Sequence, residues 1–359
     1  MCHNHHVHHH VRNPICCIIP PHMLETLAMR GDKRTRSMAQ ALMKQNAQVR
    51  EERAAMPLAP SAMAAAAPAP AAKRNLKRAI HDGGKKVGLP GKLVRSEGQP
   101  PTGDKSADEA YDGAGVVYDL YFKEFGRDSL DNAGLKLVAT VHHRANYNNA
   151  FWNGEQMAYG DGDGRIFRTF TELSVVGHEM SHGVVQFSGG LLYRGESGAL
   201  NESFADVFGA LTVQRKANQS ASQADWLIGK GILGANINGV ALRNMKAPGT
   251  AYDDALLGKD PQPYHMDFFV NTTGDNGGVH INSGIPNHAF YLYSQLVGGN
   301  AWGKPGKVWY DALQTINNST ATFNDWARET MDSAVNLFGL GAMETLYLRR
   351  AWKLVGISV

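Results

Sequence analysis

Cysteine is scarce. Cys2, Cys16 and Cys17 all lie in the first seventeen of 359 residues, so the main body can hold no disulfide and must be stabilised by a packed core. No run of about 18 consecutive apolar residues occurs, so no segment reads as a membrane-spanning helix. The first thirty residues lack the basic-then-apolar layout of a secretory leader. Charged residues make up 19% and hydrophobic residues 43%, which argues against a largely disordered or coiled-coil chain. One-signed charge is also missing from the whole, at a net +3, but residues 1–100 carry 16 Lys/Arg against 6 Asp/Glu and the remainder 20 against 27. The basic excess therefore belongs to the front of the chain. No aromatic residues interleave with it, and nucleic acid is not an expected partner. A membrane is not expected as one either.

The front is unusual in other ways. Six histidines fall within residues 1–12 (His3, His5, His6, His8, His9 and His10), a metal-sticky, low-complexity tail. A short apolar run, Ile15 to Ile19, stops at Pro20 and Pro21. One helical segment is expected over about 24–56, and an Ala/Pro-rich linker covers 54–77, where repeated proline blocks a helix. Beyond it, residues 75–170 show short β-like runs interrupted by one helix near 104–125. After about 171 the periodicity turns helical: 171–187, 200–217, 281–297, 305–317, 323–337 and 341–354. The fold class is α+β: a β-rich lobe followed by a mainly α-helical one.

The chemistry concentrates in Val175-Val-Gly-His-Glu-Met-Ser-His182. His178 and His182, four apart on a helix, share one face and offer two corners of a tetrahedral zinc site. Glu179, one step round, suits a general base better than a third ligand. The metzincin pattern needs Gly and His where Val185 and Ser188 stand, so that class is excluded. Glu202 and Asp206 are again four apart among apolar neighbours (Phe204, Val207, Phe208). One carboxylate can bind the metal and the other can accept a ligand histidine's free N–H. Further on, Asp275 precedes His280 across Gly277-Gly278. An Asp there can charge and orient the imidazole, and a charged imidazole can stabilise an oxyanion. Asp161-Gly-Asp-Gly164 reads as a tight turn, and His142-His143 as structural.

Four blocks occur in a fixed order: Asn148 to Gly154, the His178–His182 helix, Gly198 to Asp206, and Asp275 to Gly284. Together they resemble the thermolysin family of zinc metallopeptidases over roughly residues 78–359. Its two-His-one-Glu zinc set is a known property of thermolysin. The resemblance implies a two-lobed metallopeptidase, lobes 78–187 and 188–359, with one catalytic Zn2+ in the cleft on His178, His182 and Glu202. It implies Glu179 as base, Tyr193 and His280 as oxyanion donors, Asp206 orienting His178 and Asp275 orienting His280. Asn149 and the backbone of Ala150 would hold an extended peptide or protein substrate, and Arg243 would grip a substrate carbonyl. A pocket including Leu242 and Val175 implies cleavage on the amino side of bulky hydrophobic residues. Calcium is not expected at the family's double site, whose positions hold Ser174, Val213, Leu227 and Lys230, with only Asp225 kept; a hydrophobe and a lysine give no oxygen ligands.

Residues 1–53 resemble the short propeptide of protealysin-type members. Pro20, Pro21, His22 and Met23 are expected across the cleft as an inhibitory partner in cis, with a thiolate from Cys16 or Cys17 as an alternative cap on zinc. The family habit is secretion or non-classical release, while the missing leader leaves a cytoplasmic location open. A monomer is expected. Two other functions stand against the endopeptidase. A non-catalytic zinc-binding scaffold would have lost the base or the oxyanion groups. A zinc aminopeptidase needs an acidic anchor for a free amino terminus, which no motif supplies.

Overall fold

The structure is a computed structural model that describes residues 16–55 and 74–359; the side chains of Cys16 and of residues 48–55 are not described. The histidine-rich tail and residues 56–73 of the expected linker lie outside the described residues.

The chain enters as a two-residue strand, β1 (Cys16–Cys17), followed by α1 (Pro21–Arg30) and α2 (Lys33–Ala55). The single helix expected over 24–56 is thus two. Gly31 closes the first, its N–H reaching the Leu27 carbonyl at 3.0 Å. Asp32 opens the second by accepting from the Thr35 amide at 2.7 Å, as a helix-capping aspartate does. Met23, Leu24, Leu27, Ala39 and Leu42 are buried, so this helical pair is docked on the body by its apolar face.

Strands β2 (Arg78–Asp82) and β3 (Lys92–Ser96) precede the long α3 (Lys105–Phe125), and β4 (Leu137–Val141), β5 (Ala150–Trp152) and β6 (Met157–Tyr159) follow. They form one mixed sheet in the order β1-β5-β6-β4-β2-β3. Helix α3 starts on Asp104, whose side chain accepts from the Ala107 amide, and stops at Gly126 in the left-handed region with φ 68°, where glycine is favoured. Strand β5 lies inside this sheet only because β1 covers its outer side, pairing Cys16 with Trp152 and Cys17 with Phe151 in antiparallel register.

From residue 173 the chain is mainly helical: α4 (Leu173–Gln186), α5 (Gly195–Lys216), α6 (Asp275–Asn282), α7 (Gly284–Val297), α8 (Lys304–Thr315), α9 (Phe323–Phe338) and α10 (Met343–Leu354). Two small hairpins, β7 (Leu227–Ile228) with β8 (Arg243–Asn244) and β9 (Asp253–Asp254) with β10 (Gly258–Lys259), fill the connection between α5 and α6. The α+β reading holds. Trp309, Trp326 and Trp352 are fully buried, and Trp309 stacks on Trp352 with centroids 5.8 Å apart.

Helices α4 and α5 cross where neither has a side chain. A Cβ on Gly177 would lie 2.9 Å from the Gly209 Cα, and one on Gly209 would lie 2.6 Å from the Ser174 carbonyl. This close approach brings the two histidines of α4 against the carboxylates of α5.

His142 is more than a core histidine. Its Nδ1 is 2.7 Å from Asp161 and its Nε2 2.9 Å from Asp104, so it ties the start of α3 to the loop after β6. Burial works against its charge, but the two carboxylates prevail and raise its pKa above 6.5. A raised histidine contributes stability that is full below the unfolded pKa and is lost as pH rises through the folded one. His142→Ala should therefore lower the melting temperature by about 1–3 °C near pH 6, and the gap to the parent should narrow as pH rises above the ordinary histidine range. Thermal melts of both proteins across that range test it.

Candidate active site

Helix α4 is capped by Glu172, whose carboxylate accepts from the Ser174 and Val175 amides. One turn further, His178, Glu179 and His182 are all buried. His178 donates Nδ1–H to Asp206 at 2.9 Å, and His182 donates Nδ1–H to the Asn201 carbonyl oxygen at 2.8 Å. Both partners act there as acceptors only, since the Asn201 amide nitrogen is spent on the Leu191 carbonyl. Each ring therefore carries its proton on Nδ1 and a lone pair on Nε2. These two lone pairs face each other at 2.9 Å. Glu202 on α5 adds its oxygens, each 3.5 Å from one Nε2, and its Oε2 has no hydrogen-bond partner.

Three electron-rich atoms so close repel one another unless a cation lies between them. The three ligand atoms fall within 4.8 Å of one another, and no other such group of His, Cys, Asp and Glu occurs among the described residues. Tetrahedral zinc with bonds of about 2.0–2.1 Å would set its ligands about 3.3 Å apart, so the donors present fit the ion. No cysteine sulfur joins the group among the described residues.

The supporting charges are arranged round these ligands. Asp206 takes two guanidinium bonds from Arg243, both 2.7 Å, and a third contact from the Asn287 amide at 2.9 Å. Burial opposes its charge, yet Arg243 and His178 hold Asp206 well below the ordinary carboxylate range. Helix α6 begins with Asn276, Gly277 and Gly278 in the left-handed region. That turn folds Asp275 back so that it accepts from both the His280 amide at 2.8 Å and its Nδ1 at 2.6 Å. Burial disfavours the imidazolium, but Asp275 and Glu202 raise His280 to about 9. Tyr193 donates to Glu202, and its hydroxyl is 3.1 Å from His280 Nε2. Glu179 is fully buried, and burial together with the Glu202 charge pushes its carboxyl well above the ordinary value.

The cleft is filled by the front of the chain. Ile18 donates to the Ala150 carbonyl at 3.3 Å and Ile19 to the Asn149 side chain at 3.0 Å. The Cys17 carbonyl sits 2.8 Å from His280 Nε2, and the Ile18 carbonyl accepts from Arg243 at 3.1 Å. The segment expected there, Pro20–Met23, comes just after these contacts and turns into α1. His22 reaches the Tyr252 hydroxyl at 3.0 Å, and Met23 is buried. Leu242 and Val175 are buried in the same apolar core as Ile18.

Residues 77–186 match the family profile described as the thermolysin metallopeptidase catalytic domain, and residues 189–357 match that of its alpha-helical domain. The chain belongs to the thermolysin family. An extracellular metalloprotease of Pectobacterium carotovorum subsp. carotovorum is 46% identical over 349 residues, covering 96% of this chain and 97% of that protein. Protease PrtS of Photorhabdus sp. (strain Az29) is 48% identical over 289 residues, 79% of this chain and 77% of its own. Among solved structures, the precursor of protealysin from Serratia proteamaculans superposes with a TM-score of 0.84 at 44% identity, covering 96% of this chain and all of that one. Sequence reasoning passed over Asn201, Asn287 and Tyr252 in this thermolysin-family site. Asn201 had a signal, standing next to Glu202 on a buried helix; the other two reach the site only through the tertiary fold.

Two substitutions separate ligand from support. Glu202→Ala should lose its zinc on dialysis, whereas Asn201→Ala should keep it with affinity weakened about 10–100-fold. Elemental analysis and competition with a chelating dye measure both.

Proposed function

We propose that this chain is the precursor of a zinc-dependent endopeptidase that cuts on the amino side of bulky hydrophobic residues, with the roles expected from the sequence carried by the residues gathered here. The class itself follows from the family: a metalloendopeptidase, a hydrolase acting on peptide bonds of peptides and proteins, made with a propeptide. The observation that carries the reading is the pair of opposed imidazole lone pairs closed by Glu202, with Glu179 on the next residue of the same helix. The non-catalytic scaffold is not favoured, since base and oxyanion donors are all assembled.

His178, His182 and Glu202 would hold the zinc, which would supply Lewis acidity toward a carbonyl and lower the pKa of water to roughly 7. Glu179 takes a proton from the attacking water and delivers it to the departing nitrogen. Tyr193 and His280 donate to the carbonyl oxygen as its negative charge grows. Because that charge exists only in the transition state, they raise the rate rather than mere binding. Asp275 keeps His280 charged for this task, and Asp206 keeps the His178 tautomer fixed. Asn149 and Ala150 align the substrate as an added strand, Arg243 holds the next carbonyl, and Leu242 and Val175 border the apolar pocket.

The prosegment, residues 1–53, blocks this cleft through its Cys16–Met23 stretch, with the linker 54–77 leading to lobes 78–187 and 188–359. The break between the two matched family profiles supports that lobe boundary. The matched Pectobacterium relative is named extracellular, which supports release from the cell, here as a monomer with no nucleic-acid or membrane partner. Among the described residues, no helix is long and apolar enough to cross a membrane. Calcium has no part in the double site. Lys230 places its ammonium 2.6 Å from Asp225, and Ser174 is engaged by Glu172 and, at 2.9 Å, by the Gly229 amide.

Glu179→Gln should retain about one zinc per chain and lose at least about a hundredfold in casein hydrolysis; near-normal turnover removes the proposed base. A calcium-selective chelator should leave the melting temperature within about 1 °C, since the double site offers no ligand set through which that ion would add to stability. A large fall in calorimetry would contradict the calcium-free reading.

A further inference from the structure

The prosegment does more than cover the cleft, because its backbone is held in one register. We propose that it is bound as a substrate with Cys17–Ile18 as the bond presented to the catalytic residues, and that the enzyme cuts there in cis. The inference rests on the endopeptidase reading and assigns a particular bond to it.

Four contacts set the register. The oxygen that faces the oxyanion donors is that of Cys17, 2.8 Å from His280 Nε2, and that same nitrogen is 3.6 Å from Glu202 and 3.1 Å from the Tyr193 hydroxyl. The carbonyl next in the chain, of Ile18, is the one Arg243 holds at 3.1 Å. The amide of Ile18 bonds the Ala150 carbonyl at 3.3 Å, and that of Ile19 bonds the Asn149 side chain at 3.0 Å. An extended chain added antiparallel to β5 in this way puts only one peptide bond between the oxyanion donors and the Arg243 grip. Ile18 is fully buried in apolar surroundings, so the bond lies on the amino side of a bulky hydrophobic residue.

The step balances as a hydrolysis. The oxygen of water bonds to the Cys17 carbonyl carbon, and the bond to the Ile18 nitrogen breaks with its electron pair remaining on nitrogen. Water's protons end on that nitrogen as an ammonium, and Cys17 keeps a carboxylate.

The two products are held unequally. On the near side Cys16 and Cys17 are held by a two-residue strand pairing, the His280 contact and the burial of the small Cys17 side chain. On the far side Ile18 and Ile19 lead into α1, anchored by buried Met23, Leu24 and Leu27. The cut therefore releases residues 1–17 with the histidine-rich tail while Ile18 stays in the cleft, and full activity awaits removal of α1 and α2.

Purified full-length precursor loaded with zinc, incubated and followed by intact mass and N-terminal sequencing, should yield a chain beginning at Ile18. Its first-order rate should not change on dilution, activity on a hydrophobic peptide should remain low at that stage, and Glu179→Gln should stay intact. In zinc-free Glu179→Gln precursor, hydrogen exchange should find the Ile18 and Ile19 amides protected, and adding Asn149→Ala should release Ile19. A preparation that cleaves its linker and hydrolyses the peptide while Cys17–Ile18 survives overturns this proposal and leaves the endopeptidase reading intact. A zinc-loaded protein that cuts neither itself nor the peptide after its prosegment is removed overturns both. Freely exchanging Ile18 and Ile19 amides overturn the register whatever the activity.

Discussion

Two helices can share a small cation only if their backbones come close enough for short side chains to meet between them. Here that closeness is obtained by deleting side chains. Gly177 and Gly209 lie at the crossing of α4 and α5, where a methyl group on either would meet backbone atoms at 2.9 or 2.6 Å. From that crossing the ligands follow by helical geometry. His178 is one residue beyond Gly177, and His182 repeats its direction one turn on. Glu202 and Asp206 descend α5 toward Gly209 at the same interval. Interiors are packed too tightly to yield by fractions of an ångström, so the spacing of the donors is inherited from the helix contact.

Keeping three Lewis-basic atoms together requires that each be held from behind. Asp206, Asn201 and Tyr193 do so, and Asp206 is itself held by Arg243 and Asn287. The Arg243–Asp206 pair is buried on both sides. Breaking such a pair by removing one partner costs about 3–5 kcal/mol, so the arginine that grips a backbone carbonyl with Nη1 is structural through its other two nitrogens. Binding and stability thus share one side chain.

Much of this was legible in the chain because the chemistry lies on helices. The i, i+4 pairs His178/His182 and Glu202/Asp206 announce a shared face by spacing alone, and apolar neighbours announce burial. The β-then-α order was legible for the same reason. Less was legible where a contact spans sequence distance. Nothing local marks Asn287 as a partner of Asp206, 81 residues away, or Tyr252 as a partner of His22. The left-handed turn at Asn276–Gly278 could be guessed from its glycines, but not the way it returns Asp275 to the backbone amide and the Nδ1 of His280. Reading one helix across residues 24–56 failed at Gly31-Asp32, a glycine stop followed by an aspartate start. Proline gives no amide hydrogen, and strand pairing needs one, so the residues that pair along β5 stand before Pro20 and Pro21, while His22 and Met23 pack just beyond them.

The brevity of β5 has a consequence for the folded enzyme's life outside its precursor. While β1 is paired to it, Cys16 and Cys17 cover Trp152 and Phe151, and the Ile18 amide takes the Ala150 carbonyl. Once the front segment departs, Ala150–Trp152 becomes a bare margin of the sheet, and bare margins recruit any extended chain they meet, copies of themselves included. Three residues are enough to seize a passing polypeptide and too few to zip two enzymes together. The same economy keeps selectivity out of the main-chain contacts, which every sequence can make, and leaves it to the pocket beyond. While it stays in place, the front segment covers that margin.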